Sequence, residues 1–136
     1  MKCNRILAAC IGVALGSLTT HASAASLTLH HNNDGESKLF GEPGFGGIEY
    51  FSTALSTART NATNNGRDLL LISSGDNFLP GSVITASQSA GVYYDALALA
   101  SFEYDAITIG NHEFDLGPDA LADFITDYND AGGTGK

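Results

Sequence analysis

Three short apolar segments, each followed by a polar loop and a helical stripe, constrain this chain more than any other feature of its sequence. Ser26 to His31 alternates Leu27 and Leu29 with polar neighbours, Asp68 to Ser73 carries the run Leu69-Leu70-Leu71-Ile72, and Ala106 to Ile109 is short and partly β-branched. A period of two and an unbroken apolar run both predict strands. Ile48, Phe51, Ala54, Leu55 and Ala58 share one helical face, and Val92, Tyr93, Ala96, Leu97 and Ala100 share another. A third helix is expected from Pro118, a residue suited to a first turn, with Leu121, Phe124, Ile125 and Tyr128 inward. Strand and helix alternating three times predict an α/β fold, a β-α-β-α-β-α parallel sheet with helices covering its faces.

The 136 residues limit this fold to one modest domain, and the first 24 are not expected to belong to it. Lys2 and Arg5 precede the apolar stretch Ile6 to Leu18, and Ala22-Ser23-Ala24 follows, which is the order of a secretory signal cleaved after Ala24. The stretch is too short to span a bilayer comfortably, so residues 25–136 are expected as a secreted or periplasmic product without a membrane segment. Cys3 and Cys10 both lie in the signal, so the exported product would draw no stability from disulfides. Losing Lys2 and Arg5 from 6 basic residues leaves 4 against 15 acidic ones, a charge of -11. With no basic run, binding of nucleic acid or anionic membrane by bulk charge is excluded. Most of these carboxylates serve solubility; the sharper reading is that a few converge on cations.

In parallel sheets function gathers beyond the carboxyl ends of the strands. The residues there are His31-Asn32-Asn33-Asp34-Gly35-Glu36, then Ser74-Gly75-Asp76-Asn77, then Gly110-Asn111-His112-Glu113-Phe114-Asp115. Singly each has an ordinary explanation: Asp34-Gly35 as a turn, Gly75-Asp76-Asn77 as a self-bonded loop, Asn111 as a cap, a lone histidine as structural support. Jointly, parallel topology brings all three to one edge of the sheet, where carboxylate, amide and imidazole groups suit divalent ions such as Mn²⁺, Mg²⁺, Ca²⁺ or Zn²⁺. Asp76, on the middle strand, is placed to bridge two of them. The glycine-rich tail before Lys136 only superficially suggests a phosphate loop, since Asp130 stands where the leading glycine belongs and no strand precedes it.

The segments GNHEFD (Gly110 to Asp115) and SSGDNF (Ser73 to Phe78), in that order after LHHNND, resemble the calcineurin-like metallophosphoesterases, and within them the secreted 5'-nucleotidase and cyclic-phosphodiesterase group. The resemblance runs from Leu27 to about Ile125 and implies the first part of a metallophosphoesterase α/β sandwich. Position by position, it implies that Asp34 binds a first metal, Asp76 bridges two, and Asn111 binds the second. His112 would contact the phosphoryl group and Asp115 would orient it, consistent with a carboxylate fixing the tautomer of an imidazole and favouring its cation. Two divalent ions would activate a water for in-line attack on a nucleotide or other small phosphate ester. They would also reverse the local sign of an acidic surface.

The family commonly has Asp-x-His in its first loop, where this chain has Asp34-Gly35-Glu36. Glu36 either supplies an oxygen ligand, which would tilt the site away from zinc, or faces solvent. His31 is open between packed support and participation. The family's later histidines, typically in a Gly-His-x-His segment, have no counterpart after residue 112. A truncated N-terminal portion of the domain, inactive alone and with an open sheet edge, is therefore expected. The competing function is a secreted module holding divalent cations through Asp34, Glu36 and Asp76 without chemistry, which leaves the pairing of His112 with Asp115 without a task.

Overall fold

A computed structural model of the protein describes residues 25–135 except Glu42 and Phe45. The secretory-signal expectation falls on residues 1–24, outside those described. The fold is mixed α/β. Strand β1 (Leu27–Asn32) is followed by α1 (Ile48–Asn64), β2 (Asp68–Ser73), α2 (Ser82–Ala90), α3 (Tyr94–Ala100), β3 (Ala106–Ile107), a short 3₁₀ turn (His112–Phe114) and α4 (Pro118–Asp130). The sheet has the order β1-β2-β3 and is parallel throughout. Leu29 pairs with Leu70, His31 with Ile72, and Ile72 in turn with Ala106. Among the described residues no helix is long and apolar enough to cross a membrane.

One hydrophobic cluster holds these elements together, and all four helices contribute to it through residues such as Leu55, Ile84, Ala96, Leu99, Phe124 and Tyr128. From the sheet it takes Leu71, with Leu69 and Ile107 packed against it. Because side chains alternate across a strand, these three share one face. Phe78 sits at the aromatic centre, 4.9 Å from Phe124 and 6.0 Å from Tyr93 between ring centroids. Pro118 does begin α4, and Gly91 closes α2 in the left-handed conformation (φ 69°) that a residue without a Cβ adopts freely.

Three expectations need correction. Helices do not cover both faces: Leu27 and Leu29 stand 60% and 57% exposed, and they and Leu70 and Ile72 lie outside the cluster, while Thr28, His30 and Asn32 point to the half-buried side. Alternation separates an apolar side from a polar one, but packing partners decide which side is covered. Second, α2 was not expected; in Ser82–Ala90 only Ile84 and Ser87 are buried, too few positions to make a stripe. Third, Ala54, Leu97 and Ile125 are exposed although their helices bury the neighbouring stripe residues, because each lies at the edge of its apolar arc.

Candidate functional site

The loops after the three strands are joined to one another by hydrogen bonds. From the first loop, Asp34 N–H donates to the Gly75 carbonyl (3.2 Å), Glu36 N–H to Asp76 O (2.9 Å) and Ser37 N–H to Asn77 O (3.1 Å). From the third, His112 N–H donates to Asp76 Oδ1 at 2.9 Å. Gly75 (φ 93°) makes this approach possible, since a Cβ there would press on the Gly110 backbone and come within 2.8 Å of Thr108 O. These bonds join the loop segments that carry Asp34, Glu36, Asp76, Asn111, His112 and Asp115 at the carboxyl end of the sheet. His31 is exposed and pairs its Nε2 with Ser74 Oγ at 2.6 Å.

Backbone strain concentrates in the same loops. Among the described residues five non-glycine positions have positive φ, and four of them are Asp34 (53°), Glu36 (46°), Ser37 (56°) and Asp76 (54°). Each such residue costs on the order of 1 kcal/mol or more and persists where its surroundings impose it, a pattern typical of functional loops. If Asp34 is kept for its carboxylate, Asp34→Gly relieves that cost and removes the ligand together. The variant is expected to unfold in urea with stability unchanged or raised by up to about 1 kcal/mol, while Mn²⁺ affinity measured by calorimetry falls; a parallel loss of stability would make Asp34 a structural residue.

Glu113, which sequence reasoning passed over, organises the junction. Its carboxylate is 2% exposed and accepts the N–H groups of Asp76 (2.9 Å), Asn77 (2.6 Å) and Gly110 (2.7 Å). The Gly110-x-x-Glu113 spacing is a usable signal, since a carboxylate in the first turn of a helix reaches back to the N–H three residues earlier. Asn77 is buried as well, its Oδ1 accepting from Ser73 Oγ at 3.0 Å.

His112 Nδ1 lies 2.7 Å from Asp115 Oδ2. That hydrogen bond is the main cause that raises the imidazole above its ordinary 6.5, outweighing desolvation, with the charges of Asp115, Asp76 and Glu36 acting in the same direction. Asp115→Asn is therefore expected to move the His112 titration to lower pH in an NMR series on its ring proton; an unchanged midpoint would detach Asp115 from the imidazole.

Beneath the first loop, Ser37 Oγ donates to Asp95 Oδ2 (3.3 Å) and accepts from Leu79 N–H (3.1 Å), fastening the loop to α3. Burial pushes the Asp95 carboxyl up from 3.8 to about 6, opposed by the Ser37 bond. Between these two values the folded form holds a proton that the unfolded chain has released, so Asp95's contribution is fully present below pH 3.8 and lost as pH rises through about 6. The shift corresponds to roughly 3 kcal/mol. Asp95→Asn should flatten this part of a stability-against-pH curve and be the more stable form above pH 7; identical curves would contradict the assignment.

The donor set of Asp34, Glu36, Asp76 and Asn111 is all oxygen, which suits a hard divalent cation. Among the described residues no three His, Cys, Asp or Glu side chains converge tightly enough to hold one. The first and second loops meet through backbone hydrogen bonds, and the second and third through the carboxylates of Asp76 and Glu113. No family model matches the chain, and no curated protein matches it.

Proposed function

We propose that the protein is a phosphoric ester hydrolase of the metallophosphoesterase type, acting on a nucleotide or other small phosphate ester outside the cytoplasm. The observation that carries this reading is the hydrogen-bonded meeting of three post-strand loops with Asp76 at its middle, its carboxylate accepting from His112 N–H. Asp34, Asp76 and Asn111, with Glu36 beside them, would hold divalent cations. Such a cation, when bound, supplies Lewis acidity and offsets the negative field of an acidic protein.

The residues of the chain have separable tasks. Asp76, fixed by Glu36 N–H, Glu113 and His112 N–H, keeps its carboxylate between the first and third loops. With Nδ1 bonded to Asp115, the other ring nitrogen, Nε2, would serve the substrate, and the raised affinity of the imidazole for its proton favours the cationic form. Nε2–H can then donate to a phosphoryl oxygen or protonate the departing alkoxide. A cation-holding module without chemistry would leave this oriented imidazole with no work.

The test is phosphate release by the complete gene product from a panel of nucleotides and simple esters, with Mn²⁺, Mg²⁺, Ca²⁺ or Zn²⁺ supplied in turn. Metal-dependent release supports the hydrolase. Tight Ca²⁺ uptake with no release under any condition supports the binding module instead.

A further inference from the structure

A cavity of about 440 Å³ opens between the first loop, the start of α1 and the body of α3. Its walls are mainly apolar and include Phe51, Leu99 and Phe102, the two phenyl rings packed edge to face at 4.9 Å. Charge is unevenly distributed around it: among the described residues, Asp34, Glu36 and Asp95 border the cavity against the one cation Lys38. Asp95 is 1% exposed, and its Oδ1 is buried with no hydrogen-bond partner. A buried carboxylate oxygen without a partner carries charge that an entering cation would offset. Aromatic walls and an excess of carboxylates favour a cation over an anion, and a weakly hydrated cation with an apolar skin over a small ion. The volume suits a small organic group.

We propose that this cavity binds the alkylammonium end of a small ligand, with the phenyl rings of Phe51 and Phe102 against its methyl or methylene groups and Asp95 as its counter-ion. The cavity shares Asp34 and Glu36 with the loop junction. Resting on the hydrolase reading, the preferred substrates are then phosphate monoesters of amino alcohols, the ammonium end in the cavity and the phosphoryl group at the loops.

The experiment is calorimetric titration of the full chain with choline and with its uncharged carbon isostere, in which a tert-butyl group replaces the trimethylammonium. Choline should bind about tenfold or more tightly than the isostere, the scale of a desolvated cation against aromatic rings and a carboxylate. Asp95→Asn should remove that preference, and Ala98→Phe, which fills the cavity from its α3 wall, should abolish binding of both. Equal affinities for choline and isostere, no binding of either, or a choline affinity unchanged in both variants would overturn the proposal. Phosphate release from phosphocholine by the complete gene product is measured separately. Choline binding without any release would leave the cavity standing and remove the hydrolase, whereas release that ignores the ammonium group would do the reverse.

Discussion

Replacing Glu113 with alanine is expected to destabilise the protein by about 4 kcal/mol. The carboxylate accepts three backbone N–H groups from two loops, those of Asp76, Asn77 and Gly110. Asn77 is buried at 5% exposure, so in the alanine variant its N–H has no alternative in water. Each bond to a charged acceptor is worth roughly 1.5–3 kcal/mol and each stranded donor about 1–3, and removing one member of a buried charged set costs about 3–5 in all. Glu113→Gln should recover part of the loss, because one carboxamide oxygen still accepts while its NH₂ faces other donors. Urea denaturation of the three proteins reads the order directly. A cost below about 1 kcal/mol for the alanine variant would mean that the loops hold their places without Glu113.

Asp76→Asn in the complete gene product is expected to reduce phosphate release by a factor on the order of 10³, the scale of removing one preorganised electrostatic group from a reaction centre. The substitution isolates charge from shape. Asparagine tolerates the left-handed backbone that Asp76 adopts at φ 54°, and its carbonyl oxygen can still accept from His112 N–H, as Asp76 Oδ1 does at 2.9 Å. Stability should therefore stay within about 0.5 kcal/mol of the parent, while affinity for Mn²⁺ falls by about tenfold or more. Turnover preserved in Asp76→Asn would take the central residue out of the proposed chemistry.

The frame of the fold is legible in the residues because it rests on strong, local patterns. The run Leu69 to Ile72 is unbroken, and β2 falls on Asp68–Ser73 as read; Pro118 marks the start of α4, and the stripe from Ile48 continues into a helix reaching Asn64. The adjacency of the three loops follows from parallel topology, and the bonds from Asp34, Glu36 and His112 to the Gly75-Asp76 segment bear out that adjacency. What stayed hidden depends on partners distant in sequence. Leu27 and Leu29 form an apolar row, yet the helices gather on the opposite side of the sheet around Leu71. Glu113, between His112 and Asp115, stands in a segment that reads as solvent-facing or metal-ligating chemistry. Its burial against Asp76 and Asn77 depends on pairing across 36 to 37 positions of chain. Ser37 and Asp95 are 58 positions apart, and nothing near either residue announces the other.

The strain at Asp34, Glu36, Ser37 and Asp76 and the buried carboxyl of Asp95 act in the same region. Stability is forgone where the loops meet, and the fold recovers it in the aromatic cluster around Phe78 and in the N–H groups collected by Glu113. Such a division is expected where geometry at a few positions matters more than local stability.

The most direct measurement is an amide NMR spectrum of the whole chain titrated with substoichiometric Mn²⁺, whose unpaired electrons broaden signals close to the bound ion. Signals of Asp34, Gly35, Asp76, Asn77, Asn111 and His112 should vanish together, before those of the acidic helix bearing Asp119, Asp123, Asp127 and Asp130. Broadening that begins on that helix, or that touches one of the three loops and spares the others, would contradict a common cation site at the carboxyl end of the sheet.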